Sequence, residues 1–444
     1  MFTARLSVGE PDSRNQSVLT GIRKIYTMRI GVAKLPILLI SSGIFIPGLH
    51  VYPLSVLVIF PAFLYLTLFL ISTGSRKSFN NRNYISVSIS FALTFLFLFA
   101  LILLRGFYYP DWVAQFDSIQ YIIRILLFLG LYFAMKSFFI KDNYFDIGRW
   151  INFVRFIVIA VVLFSIIDIF SRTQFFPDII NFYKARGDFG GIHTVHYNRL
   201  SGLFSYPGDL GLVLVFAIFS LKLIYKNIWS RWVLLTVLVY FLFLTQSRAA
   251  FLTFFFGLIL YIPFASKRVV AFISAIAITL AIVFQNEIKD MIDDIYLLRN
   301  SDSLEFFLSK SYRYMEFSNY FSARPAEWIL GLAPDSQMPF HEVETIGAAS
   351  RLGVVAFFIY FLFVAWGIGC YSSAFRNRAT QSALSAAGIS CYWLSFLLIY
   401  CNISAGFSRP KLMVVAALGL IFVLHALPRS GNHNRQKRLH ESLE

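Results

Sequence analysis

Apolar runs of about twenty residues recur along the chain, and their apolar positions do not alternate as barrel strands require. Runs of that length and texture predict membrane-crossing α-helices, because a helix satisfies its own backbone hydrogen bonds in lipid. The pattern predicts about twelve of them: 30–48, 52–72, 84–104, 118–139, 151–171, 206–225, 229–246, 249–265, 269–285, 347–371, 380–402 and 410–427. The expected fold is therefore an all-α polytopic membrane protein. One polar stretch, 286–346, interrupts the pattern between the ninth and tenth runs.

That stretch holds 11 of the chain's 23 acidic residues against five basic ones. A connection of this length is either disordered or functional. Disorder goes with few aromatics, yet this segment carries Tyr296, Phe306, Phe307, Tyr312, Tyr314, Phe317, Tyr320, Phe321 and Trp328. It reads as a folded external loop. Within it, 302–322 reads as an amphipathic helix, either lying on the membrane surface or packed as a lid.

Composition excludes a soluble domain: 58% of the 444 residues are hydrophobic and 14% charged. The net charge of +16 could suggest nucleic acid, but its placement argues for topology instead. Alternate loops are basic: Arg76, Lys77 and Arg82; Lys141 and Arg149; Lys226 and Arg231; Lys267 and Arg268; Arg376 and Arg378; and Arg429, Arg435, Lys437 and Arg438. The positive-inside rule assigns these loops and both termini to the cytoplasm. No nucleic-acid partner is expected. The organisation predicted is a cytoplasmic arm (1–28), nine helices (29–285), the external loop (286–346), three helices (347–427) and a basic cytoplasmic tail (428–444). Residues 1–28 are polar and do not read as a cleavable signal peptide. Cys370, Cys391 and Cys401 all lie in apolar runs and read as packing residues. No His/Cys pair has metal-ligand spacing, so neither a metal nor another cofactor is expected.

Four features on the expected external side carry candidate chemistry. Arg248, in T-Q-S-R-A-A-F-L, sits at a corner between two helices. It fits an arginine that staples two helix ends as well as one that clamps an anion. The run Asn198–Gly211 leads into the sixth helix through Gly202, Pro207, Gly208 and Gly211, and open backbone N–H groups at such a start favour an anion. Arg313 follows Ser311-Tyr312 in the long loop. His341, with Glu342 and Glu344 close by, combines an imidazole with carboxylates that could fix its tautomer.

The order of these motifs resembles the bacterial O-antigen ligase/polymerase superfamily. R-L-S-G-L-F-S-Y-P-G-D-L-G (199–211) resembles its R-x-x-G-x-F-x-x-P-N-x-x-G pattern, and T-Q-S-R-A-A-F-L (245–252) its S-R-[AG] corner. Arg313 resembles its loop arginine, W-I-L-G-L-A-P (328–334) its L-G-x-G turn, and His341 with G-A-A-S-R-L-G (347–353) the His that precedes the next span. The resemblance covers roughly 199–356. It departs at Gly208-Asp209, where the family has Asn after Pro, and at His341-Glu342, where ligases commonly have His-Asn.

The resemblance implies a class C glycosyltransferase-like fold and an enzyme of the bacterial inner membrane. It would join undecaprenyl-pyrophosphate-linked glycan repeat units at the periplasmic face, as an O-antigen or exopolysaccharide polymerase. Arg199, Arg248 and Arg313 would bind the donor pyrophosphate. His341 would act on the acceptor hydroxyl, with Glu342 or Glu344 assisting. The partners implied are the lipid-linked donor, a glycan acceptor, membrane lipid and a chain-length regulator. An O-antigen ligase, transferring polymer to lipid A–core, is the alternative, and both departures favour a polymerase. A polysaccharide transporter or flippase would place its charged residues at the bilayer midplane. Arg124 and Asp168 are the mid-span charges that such a reading would use.

Overall fold

The computed structural model describes residues 144–172, 199–202, 204, 207–265, 320–332, 344–376, 381–403 and 410–425, with scattered residues between 100 and 141. The helices are α1 (Ile147–Arg172), α2 (Pro207–Ile224), α3 (Ile228–Thr245), α4 (Arg248–Tyr261), α5 (Pro325–Leu330), α6 (Glu344–Leu352), α7 (Val354–Arg376), α8 (Gln381–Ser395) and α9 (Pro410–His425). Four of them, α1, α2, α3 and α7, are long and apolar enough to cross a membrane. Shorter apolar helical stretches run through 248–264, 386–400 and 412–425. The described residues are thus largely α-helical, and their apolar helices are compatible with a membrane protein. The expected spans 30–48, 52–72 and 269–285 lie outside the described residues, as do most of 84–104 and 118–139.

Two features were not expected from the sequence. Ile140–Lys141 and Tyr144–Phe145 pair as a two-residue antiparallel ladder just before α1. Asp146 then caps α1 by accepting from the Arg149 N–H at 3.0 Å. The predicted span 347–371 is in fact two helices. Gly353 takes φ +65 between α6 and α7, a left-handed conformation that costs other residues about 1–2 kcal/mol. A Cβ there would also collide with the Ile329 carbonyl.

Helix α2 is the central post. Nearly every side chain along it is buried, on all faces, as expected of a helix surrounded by other helices. Around it α1 runs antiparallel: Arg155 Nη2 donates to the Ile224 carbonyl at 2.7 Å, while Asp168 reaches Ser201 and Gly202 just before α2 begins. Helix α4 runs parallel, since Gly211 abuts Ala250 and Gly257 abuts Phe219. Helix α8 runs antiparallel, with Gly388 against the Phe219 carbonyl and Tyr400 near Gly208.

The core joining these helices is aromatic. Trp150 packs on Phe216 and Phe422 and donates Nε1–H to the Leu418 carbonyl at 3.2 Å. Phe216 meets Tyr392 edge to face. The outer helices present large apolar side chains outward, among them Phe358 (71% exposed), Val233 and Ile259. Water would penalise such faces and lipid does not. Cys391 and Cys401 are buried thiols outside any disulfide, and the partly buried Cys370 thiol donates to the Val423 carbonyl. These are packing roles, as the sequence suggested.

Candidate functional site

The antiparallel packing gathers one set of helix ends: the last turns of α1, the starts of α2, α4 and α7, the whole of α6, and the end of α8. The described candidate residues lie in these segments or, for Arg199, in the turn just before α2.

Corner 245–248 is built by local hydrogen bonds. Thr245 Oγ1 donates to the Leu242 carbonyl at 2.7 Å. Gln246 takes φ 49 and its N–H returns to the Phe243 carbonyl at 2.9 Å, ending α3. Ser247 is the N-cap of α4, its Oγ accepting from the Ala250 N–H at 3.3 Å. Arg248 is therefore the first residue of α4, and its side chain is exposed.

The Arg199 segment is tied to this corner. The Leu200 N–H donates to the Leu244 carbonyl at 2.8 Å. Two arginines remote in sequence are thus carried on neighbouring backbone at one end of the bundle. Arg199 is half-buried. Gly202 (φ +53) turns the chain, and the Phe204 N–H closes the turn on the Ser201 carbonyl at 2.9 Å.

Starts α2 and α4 then come side by side. A Cβ on Gly208 would lie 3.3 Å from Ser247 Oγ and 3.4 Å from Tyr400 Oη, and one on Gly211 only 2.6 Å from the Ala250 Cβ. The glycines of the G-D-L-G run serve this close approach. The expectation of an open helix start is met unevenly. Pro207 has no N–H to offer, and Asp209, 5% exposed in the first turn of α2, already places a carboxylate at its positive end. Helix α4 has no acidic residue in its first turn. Its positive end carries a cation, Arg248.

Helix α8 ends in a π-helical turn, Phe396–Tyr400, followed by the short turn Cys401–Ile403. Such turns recur at functional sites because they re-aim side chains and free carbonyls. Here the freed groups are served. Asn402 Nδ2 lies 3.3 Å and 3.0 Å from the Leu397 and Leu398 carbonyls and 2.7 Å from Tyr360 Oη. Tyr360 O–H donates to the Leu397 carbonyl at 2.9 Å. Thr345 Oγ1 donates to Asn402 Oδ1 at 3.0 Å. The network locks the start of α6 to the turn that carries Tyr400.

Part of the long loop is folded onto α6. Trp328 Nε1–H donates to the Tyr320 carbonyl at 2.8 Å, and the Leu332 N–H to the Ser350 carbonyl at 2.7 Å. Tyr320, Leu332, Ile346, Ala349, Leu352 and Ala356 form a small separate core. Burial pushes the Tyr320 phenol up from its ordinary value. Gly331 (φ +92) ends α5 within W-I-L-G-L-A-P.

Of the residues singled out in the sequence, Arg199 and Arg248 lie on two backbone segments that the Leu200–Leu244 hydrogen bond ties together. Glu344 begins α6. Arg313, His341 and Glu342 lie outside the described residues, as does Arg124. Asp168 is fully buried, but it lies four residues from the end of α1, about 6 Å along the axis. That is the Arg248 end of the bundle and not its middle. Sequence reasoning missed Thr345, Asn402 and Tyr400, whose only signal was polarity near a span end, and Tyr360, which sits inside the predicted span 347–371. It also missed Arg351, 7% exposed in α6, which stood unremarked in G-A-A-S-R-L-G. Among the described residues no three His, Cys, Asp or Glu side chains cluster as metal ligands would. No family model matches the chain, and no curated protein matches it.

Proposed function

We propose that this chain is an inner-membrane polysaccharide polymerase, a class C-like glycosyltransferase with about twelve spans and both termini in the cytoplasm. It joins undecaprenyl-pyrophosphate-linked repeat units at the periplasmic face. The observation that carries the reading is Arg248. A structural arginine stabilises a helix at its C-terminus, where the dipole is negative. Arg248 instead occupies the first position of α4, with no acid in that turn. A ligand of strong negative charge offsets both the dipole and the guanidinium, and the neighbouring Arg199 segment supplies a second cation. A pyrophosphate suits planar arginine donors, and the order of motifs between 199 and 353 supplies the glycan carrier.

In the proposed reaction an acceptor sugar hydroxyl attacks the anomeric carbon of the donor. The new glycosidic C–O bond forms as the bond to the pyrophosphate oxygen breaks. His341 takes the hydroxyl proton, with Glu342 or Glu344 orienting it. Arg199, Arg248 and Arg313 balance the charge that builds on the departing lipid pyrophosphate.

The test is polymer synthesis by Arg248→Ala and Arg248→Lys at matched protein levels. Losing charge-assisted contacts costs about 1.5–3 kcal/mol each, so the alanine variant is expected to lose roughly 10- to 150-fold in rate. Lysine keeps the charge without the fork and falls between. Wild-type rates from Arg248→Ala would overturn the assignment.

A further inference from the structure

Asp168 is not used by the reaction above, yet burying its carboxylate is costly. It is fully buried in the mainly apolar second half of α1, where a carboxylate persists only with good partners. Its Oδ2 accepts from two successive backbone amides, Ser201 N–H at 2.9 Å and Gly202 N–H at 2.8 Å. Converging amides of this kind form a small anion cradle, and the anion here comes from the protein itself. The cradle depends on the left-handed φ of Gly202. Leu210 and the Ser165 hydroxyl pack against that glycine, at 3.7 and 3.6 Å from where its Cβ would lie.

The turn so held is the one that carries Arg199. It is pinned on one side by Asp168 from α1 and on the other by the Leu200 N–H bond to the Leu244 carbonyl of α3. We infer that Asp168 is a positioning residue: its carboxylate fixes the 199–202 turn and thereby sets Arg199 beside the Arg248 corner. This deepens the proposed function and rests on it for the role of Arg199, though the clamp itself does not. Asp168 is thus a structural anchor for an anion-binding arginine.

The experiment combines hydrogen exchange with polymer synthesis on the full-length purified protein. Asp168→Ala is expected to raise exchange across 199–204 by at least about tenfold, the weight of one charge-assisted bond, while amides of α2 stay protected. Asp168→Asn keeps an acceptor oxygen and should retain most of that protection. In polymer synthesis Asp168→Ala should raise the KM for lipid-linked donor as Arg199→Ala does. The double variant should be no worse than Arg199→Ala alone, since the two act through one group. Unchanged exchange in Asp168→Ala, or losses that multiply in the double variant, would overturn the inference. Full activity in both Arg199→Ala and Arg248→Ala would instead sink the functional reading, leaving the exchange result to stand on its own.

Discussion

Gly211 offers a sharp test of how the site is assembled. Its missing side chain lets α2 and α4 touch: a Cβ there would lie 2.6 Å from the Ala250 Cβ, 3.4 Å from Thr245 Oγ1 and 3.5 Å from the Ser247 Cβ. Carbon atoms prefer about 3.5–4.0 Å, so Gly211→Ala forces the two helix starts roughly 1 Å apart. Overpacking of this kind costs about 1–3 kcal/mol. Alanine's better helix propensity returns about 1 kcal/mol, leaving a net loss of about 0–2 kcal/mol. Activity is expected to suffer more than stability, because a 1 Å misplacement of binding groups can cost about 100-fold. The comparison variant is Gly369→Ala, whose methyl meets nothing within 4 Å and should be neutral or stabilising. The diagnostic variant is Gly211→Ala with Ala250→Gly, which moves the methyl across the contact and should restore much of the lost activity. Thermal inactivation in detergent and polymer synthesis read the two effects. If Gly211→Ala behaves like Gly369→Ala, or if Ala250→Gly brings no rescue, the contact between α2 and α4 is wrong.

Two further perturbations address the α6 side. Gly353→Ala should cost about 1–2 kcal/mol from its positive φ alone, and more from the collision with Ile329; the sign to look for is faster hydrogen exchange at the Leu332 amide. Asn402→Ala removes the partner shared by Thr345, Tyr360 and the freed π-turn carbonyls, and should lower stability by about 1–3 kcal/mol. Thermal unfolding of Asn402→Ala indistinguishable from wild type would mean that the network does not hold α6.

The apolar helices α1 to α4, α8 and α9 were legible in the sequence because a run of apolar residues long enough to span lipid has few alternatives. The predicted spans 206–225, 229–246 and 410–427 differ from α2, α3 and α9 by a residue or two. The break at Gly353 was not legible. Leu352-Gly353-Val354 reads as continuous apolar helix, and what decides for a break is the Ile329 backbone arriving from α5. The π turn in α8 was hidden for the same reason, since F-L-L-I-Y has no local mark. At the site, Arg248 stood out as a charge at a helix corner. That Arg199 would join it depended on the Leu200–Leu244 hydrogen bond, a tertiary contact. Asp168 was visible as a charge in an apolar run and was read for the wrong location. Its partners are backbone amides, which leave no trace in residue identity.

The most direct test of the account is the glycan profile of a strain lacking this protein, with lipid-linked intermediates and surface polysaccharide resolved side by side. The polymerase reading expects single repeat units, on the core or on the carrier lipid, with no polymer, restored by the wild-type chain and not by Arg248→Ala. Long polymer stranded on the carrier lipid would contradict it in favour of a ligase, and an unchanged profile would contradict the glycan assignment altogether.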